Sequence, residues 1–144
     1  EYFPESKNKM DAQQMMFDLQ DKLVEKDYQA AKLYYNLGSY TGNASYTSDM
    51  RINGNNYQAC ITTVQNALKD YPYTQMREEL SILLLRAKHK LAKESVIEKQ
   101  EERMRETIDE YYAFKNEYPD SKYLKEANNI FKDARKYVKE TNEN

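Results

Sequence analysis

Apolar residues recur along this chain at three- and four-residue intervals, the spacing that gathers them on one face of an α-helix. The pattern predicts six helices, over about residues 6–25, 27–39, 56–70, 74–93, 95–117 and 121–140. In the first, Ser6 stands at a capping position and Ala12, Met15, Met16, Leu19 and Leu23 share the face expected to turn inward. The second starts at Asp27 after a short break and carries Tyr28, Ala31, Tyr34, Tyr35 and Leu37. The fourth has the cleanest stripe, Met76, Leu80, Leu83, Leu84, Ala87 and Leu91, and the last two turn Met104, Ile108, Tyr111, Leu124, Ala127, Ile130, Phe131, Ala134 and Val138 inward. All three glycines, Gly38, Gly42 and Gly54, fall in a stretch of 17 residues that begins at the end of the second helix, which marks a loop with an insertion at 43–54.

The three prolines sit in one recurring phrase, an aromatic residue, Pro, any residue, then Ser or Thr: Phe3-Pro4-Glu5-Ser6, Tyr71-Pro72-Tyr73-Thr74 and Tyr118-Pro119-Asp120-Ser121. Proline ends one helix and biases its predecessor away from helical geometry, and the hydroxyl two places on can cap the next helix. Each phrase is a joint. The last two lie 47 residues apart, and at that offset Ile61 and Val64 fall on Ile108 and Tyr111, while Glu79, Leu83, Leu84, Ala87 and Leu91 fall on Glu126, Ile130, Phe131, Ala134 and Val138. A helical period alone accounts for stripes, not for their coincidence with two joints. The expected fold is therefore all-α, a TPR-like helical repeat array (α-solenoid) forming a single unit over 1–144, of the kind whose extended surfaces bind other proteins.

Composition narrows the function classes. The net charge is −2, with Lys and Glu interspersed along the helices, which argues against the clustered basic field a nucleic acid needs. No apolar run exceeds four residues, as in Ile82 to Leu85, so no membrane-spanning segment is expected. The lone Cys60 excludes an internal disulfide. It occupies a small-residue packing position with no partner base, and His89, flanked by Lys88 and Lys90, is expected on the solvated side of its helix without metal-ligand spacing. Glu98 to Glu106 alternates charge as an exposed helix face does. No phosphate loop, nucleophile elbow or acid pair is present, so neither enzyme activity nor a cofactor nor a metal is expected.

With Pro72 set at the terminal proline of the tetratricopeptide (TPR) motif, Cys60 and Ala67 take its small-residue positions, Val64 a bulky one and Tyr57 the aromatic one at the helix start. Beyond that motif, Asp21-Lys22-Leu23, Asp27-Tyr28-Gln29-Ala30-Ala31-Lys32-Leu33-Tyr34-Tyr35, Gly38-Ser39-Tyr40 and Leu68-Lys69-Asp70-Tyr71-Pro72-Tyr73-Thr74 together resemble the C-terminal half of the BamD family, TPR lipoproteins of the outer-membrane β-barrel assembly machinery. The segment Tyr111 to Pro119 after a long charged helix is similar to members from Bacteroidetes. The resemblance implies a non-catalytic scaffold whose C-terminal repeats dock onto a POTRA domain of the barrel-assembly protein. It also implies a place at the periplasmic face of the outer membrane, reached only through a lipid anchor outside these residues. Glu1 opens within a joint phrase, consistent with the C-terminal part of a longer array. The 43–54 insertion departs from the family pattern, as does Thr63, where some proteobacterial relatives carry a basic residue. The same joints would suit another periplasmic TPR adaptor of a cell-envelope complex.

There are 14 tyrosines and no tryptophan. Tyrosine brings large amphipathic area at low entropic cost and so serves both cores and interfaces. Tyr34, Tyr57 and Tyr111 take packing positions. Tyr35, Tyr40, Tyr46 and Tyr73, at helix ends or in the loop, are candidate partner-binding residues together with Met50, Arg51 and Ile52 of the insertion and Arg77. The insertion reads either as a binding element or as a disordered excursion.

Overall fold

The computed structural model of the chain describes residues 4–39 and 55–139. Throughout these residues the architecture is all-α, with five helices: α1 Pro4–Leu37, α2 Asn56–Asp70, α3 Arg77–Lys93, α4 Ile97–Glu117 and α5 Leu124–Arg135. The 43–54 insertion lies outside the described residues.

Five helices stand where six are expected because the break near Lys26 does not occur. Val24, Tyr28, Ala31 and Tyr35 are spaced four, three and four residues apart, a single stripe that runs through the expected break, and no Gly or Pro interrupts it. Tyr28, Ala31 and Tyr35, expected on the second helix, pack against the rest of the molecule together with Val24, whereas the face expected of the first helix does not. Met15 and Leu19 are 68% and 62% exposed, and Ala12, Met16, Leu23 and Tyr34 are exposed as well. At about 100° per residue these side chains stand roughly 120° around the helix from the packed stripe. The helix ends where Gly38, at φ +53°, donates its N–H to the Tyr34 carbonyl (3.0 Å) in a left-handed cap.

The joints also move the expected boundaries, and they do so identically. Tyr71 and Tyr118 close α2 and α4 with backbone angles of −129°, 65° and −128°, 65°. In each, the tyrosine N–H bonds back four residues, to Ala67 (2.9 Å) and Phe114 (2.8 Å). The N–H of Thr74 or Ser121 then bonds to that tyrosine's carbonyl, 3.2 Å in both. The Thr74 and Ser121 hydroxyls accept the N–H of Met76 (3.2 Å) and Tyr123 (3.1 Å). Regular α-helical bonding begins with Leu80 to Met76 and Ala127 to Tyr123, each 2.9 Å, so α3 and α5 start at Arg77 and Leu124 rather than at the hydroxyl. Ser95, expected to open α4, instead donates its hydroxyl to the Leu91 carbonyl (2.6 Å) and closes α3.

Each helix packs on its neighbours in sequence. Beyond that, α1 touches α3 and α3 touches α5, whereas α2 and α4 do not meet. The result is an inner layer of α1, α3 and α5, with α2 and α4 outside it. The central helix serves two cores. Leu80, Leu83, Leu84, Ala87 and Leu91 pack with Val24, Ala31, Cys60, Ile61, Val64 and Ala67, while Ile82 and Leu85 pack with Tyr111, Phe114, Ala127 and Ile130.

Two substitutions test this packing by urea unfolding. Leu80→Ala, at a fully buried position, costs about 3 kcal/mol. Gly38→Ala costs about 1 to 2 kcal/mol, because φ is positive and the new Cβ would lie 2.6 Å from the Tyr57 hydroxyl. Loss of less than half these amounts would refute the assignments.

Candidate protein-docking surface

The inner layer gathers aromatic and cationic groups from three helices. Arg86 on α3 reaches α5, donating from Nε to Glu126 Oε1 (2.5 Å) and from Nη2 to Oε2 (2.7 Å). Such a two-point pair fixes both position and plane of the guanidinium. Its carbon lies 5.4 Å from the Tyr123 ring centroid, and Tyr28 and Tyr35 of α1 lie within its field. Lys32 stands 5.5 Å from the centroid of Tyr28 and Lys122 5.0 Å from that of Tyr123.

The electrostatics hold Arg86 charged and the two α1 phenols neutral. The hydrogen bond to Glu126 raises the Arg86 pKa, so the guanidinium stays charged. Burial raises the Tyr28 and Tyr35 hydroxyls, so both phenols stay neutral. Rigid rings, hydroxyls and anchored cations are the composition of energetically important contact surfaces. The arrangement is suited to holding a partner.

Of the residues singled out from sequence, Tyr35 belongs to this layer, half-buried and edge-on to Tyr57 with centroids 5.7 Å apart. Tyr73 and Arg77 lie instead at the first joint. Tyr73 is 89% exposed. Arg77 is occupied internally, donating from Nε to Glu117 Oε1 (2.5 Å) and from Nη1 to the Pro72 carbonyl (2.9 Å). Tyr40, Tyr46, Met50, Arg51 and Ile52 lie outside the described residues. Arg86, Tyr123 and Glu126 were not foreseen as a group. Their one sequence signal is a 40-residue spacing between cation and carboxylate that recurs in Arg77–Glu117, Arg86–Glu126 and Lys93–Asp133.

The two candidate reactive residues are both enclosed. Cys60 is fully buried, and burial pushes its thiol up to about 12, which removes the thiolate at neutral pH. His89 corrects the expectation of a solvated side chain, since only 12% of it is exposed. Packing of α5 against α3 covers it, an arrangement invisible in the polar neighbours Lys88 and Lys90. Its Nε2 lies 2.7 Å from Asp133 Oδ2, with Lys93 Nζ on the same carboxylate oxygen at 3.2 Å. Burial lowers the His89 pKa and outweighs the carboxylate, so the ring is neutral at neutral pH and donates its Nε2–H. Among the described residues no group of three or more His, Cys, Asp or Glu is placed to hold a metal ion, and no helix is long and apolar enough to cross a membrane.

No family model and no curated protein matches this chain.

The His89 site makes stability depend on pH. Below about pH 6.5 the unfolded imidazole binds a proton that the folded one resists, so stability is complete above that value and is lost as pH falls beneath it. Asp133, held low by its bonds to His89 and Lys93, acts in the same direction only nearer its ordinary value of 3.8. Urea midpoints should fall between pH 7.5 and pH 5. His89→Gln, which keeps an amide donor for Asp133 and cannot titrate, should flatten that decline. An equal decline in both proteins would refute the assignment.

Proposed function

We propose that this chain is a TPR-like, non-catalytic docking scaffold of the BamD type, which binds a POTRA domain of the barrel-assembly protein at the periplasmic face of the outer membrane. The reading rests on the quoted segments. The two longest, Asp27 to Tyr35 and Leu68 to Thr74, belong to one packed helical pair, the first on α1 and the second closing α2 into its joint.

Three features of the molecule support a TPR-type array. Cys60, Val64 and Ala67, at the motif's packing positions, are buried on α2, and Tyr57 packs beside them. The Tyr-Pro joints repeat one hydrogen-bond pattern. The first helix of each pair lies in the inner layer, where Tyr28, Tyr35, Arg86 and Tyr123 meet. A folded domain offers such a layer contact area over several helices at once, and Tyr and Arg are the residue types that most often dominate such contacts. The joints and the layer would serve another periplasmic adaptor equally well; the quoted segments favour the BamD type.

Titration calorimetry of the chain against the purified POTRA array should give saturable one-to-one binding. Tyr123→Ala should weaken it about tenfold while leaving the circular dichroism spectrum unchanged. A second titration without residues 43–54 assigns the insertion a role if affinity falls. No heat at tens of micromolar from folded protein, an affinity weaker than roughly −6 kcal/mol, would overturn the reading.

A further inference from the structure

The 34-residue helix α1 carries two apolar faces, and the molecule uses one of them. Val24, Tyr28, Ala31 and Tyr35 pack against α2 and α3, the only helices that α1 meets among the described residues. The second face runs from Ala12 to Leu37 in alternating steps of four and three residues, without a missed step. Every position on it is apolar except Lys26, and every one is exposed except the half-buried Ala30. At about 100° per residue it lies on the far side of the helix from the packed face.

Two features point to another helix as the occupant. A seven-residue apolar repeat held over almost four heptads is the pattern that seats one helix along another, because it keeps a single seam facing the partner. The seam also has the size of an interface. Met15, Met16, Leu19, Leu23, Leu33 and Leu37 are 39% to 68% exposed. Covering them removes on the order of 600 Å² from water before the polar flanks are counted, approaching the roughly 800 Å² that each partner of a stable complex covers.

The helix that fits is a second copy of α1 running the other way. With the copies antiparallel and centred between Val24 and Glu25, Met16 meets Leu33, Leu23 meets Lys26, Leu19 meets Ala30 and Leu37 meets Ala12 of the second copy. Each alanine then faces a leucine, as a filled core requires. Parallel copies in register would set each alanine against itself and each Lys26 ammonium against its twin, leaving gaps and a like-charge contact. In the antiparallel arrangement the Lys26 stem lies along Leu23 and its ammonium reaches solvent. Lys22 and Asp27 are the only charges flanking the seam, one of each sign, so the copies do not repel.

We propose that the chain self-associates through this seam as an antiparallel α1–α1 dimer. The inference goes beyond the docking reading and does not depend on it, since the seam shares no residue with the layer of Tyr28, Tyr35, Arg86 and Tyr123.

Sedimentation equilibrium of the 144-residue chain at up to about 200 μM should show the 17.2 kDa monomer giving way to a species of twice that mass. Leu19→Glu should weaken the dimer at least about tenfold by placing a charge in the seam. Its circular dichroism should not change, because Leu19 is exposed in the monomer. Lys26→Leu should tighten the dimer about tenfold by removing the one polar side chain of the seam. Ile97→Glu, at an exposed apolar residue of α4 off the seam, should leave it unchanged. Disulfide capture reads the orientation. Ala12→Cys and Leu37→Cys chains, mixed, should link to each other, whereas neither should link to itself; Cys60 is fully buried and stays out of the reaction. Monomer at every concentration in both the unaltered chain and Lys26→Leu would overturn the proposal. So would an undiminished dimer in Leu19→Glu, dissociation by Ile97→Glu to the same extent, or self-linked Ala12→Cys chains.

Discussion

Burial of α3 on two opposite sides is the constraint on which the molecule depends. Six consecutive residues, Leu80 to Leu85, are buried, an arrangement possible only for a helix with neighbours all round. Leu80, Leu83 and Leu84 answer to α1 and α2, and Ile82 and Leu85 to α4 and α5. Fully buried small residues, Ala87 in the first core and Ala92 in a smaller cluster with Met104 and Ala134, let the neighbours approach closely. A change that loosens α3 therefore loosens both cores, whereas one in α5 reaches the first core only through α3. This nearest-neighbour dependence is the energetic character of a stacked repeat.

Around that core, polar groups set register more than stability. Arg77–Glu117 and Arg86–Glu126 have side chains 26% to 43% exposed, and ion pairs in such positions contribute about 0 to 1 kcal/mol each. Truncating a buried Phe such as Phe114 removes about 3 to 5 kcal/mol. Apolar burial holds the helices together, and the cation–carboxylate pairs spaced 40 residues apart fix which turn of α3 faces which turn of α4 and α5. The joints act in the same sense, since each hydroxyl both opens a helix and ties it to a carboxylate on an earlier inner helix.

What was legible in the sequence is what local chemistry dictates. Tyr-Pro-x-Ser/Thr could only be a joint, and the Leu80 to Leu91 stripe could only be core, because proline and apolar periodicity act within a turn or two. The continuity of α1 was hidden because Glu25-Lys26-Asp27 reads as a polar start signal, and the tertiary stripe from Val24 to Tyr35 overrides it. His89 was misplaced for a related reason: its neighbours in sequence are lysines, but its neighbour in space is Asp133, 44 residues on. The Arg86, Tyr123 and Glu126 cluster is likewise a product of α3 lying against α5, and no single helix carries it.

The misread face of α1 has a physical cause. Ala12, Met16, Leu19 and Leu23, and seven residues further on Ala30, Leu33 and Leu37, recur at four- and three-residue steps and form a longer and more apolar stripe than the packed one. Sequence reasoning favours the stronger stripe, but which stripe meets α2 is decided by Gly38 and by the fit of Tyr35 against Tyr57. Residues 6–19 are exposed without exception, so this part of the helix has no core of its own. Isolated helices of such length are marginal in water because nucleation is costly. Here the packed turns from Val24 to Tyr35 supply the nucleus, and propagation toward the N-terminus needs only good helix formers, which Lys, Gln, Met and Ala are. The Gln14 to Asp18 hydrogen bond adds one local link. The first half of α1 is thus held by propagation and its second half by burial, and the first joint, where Phe17 and Asp18 face Asp70 and Tyr73, lies at the boundary between the two.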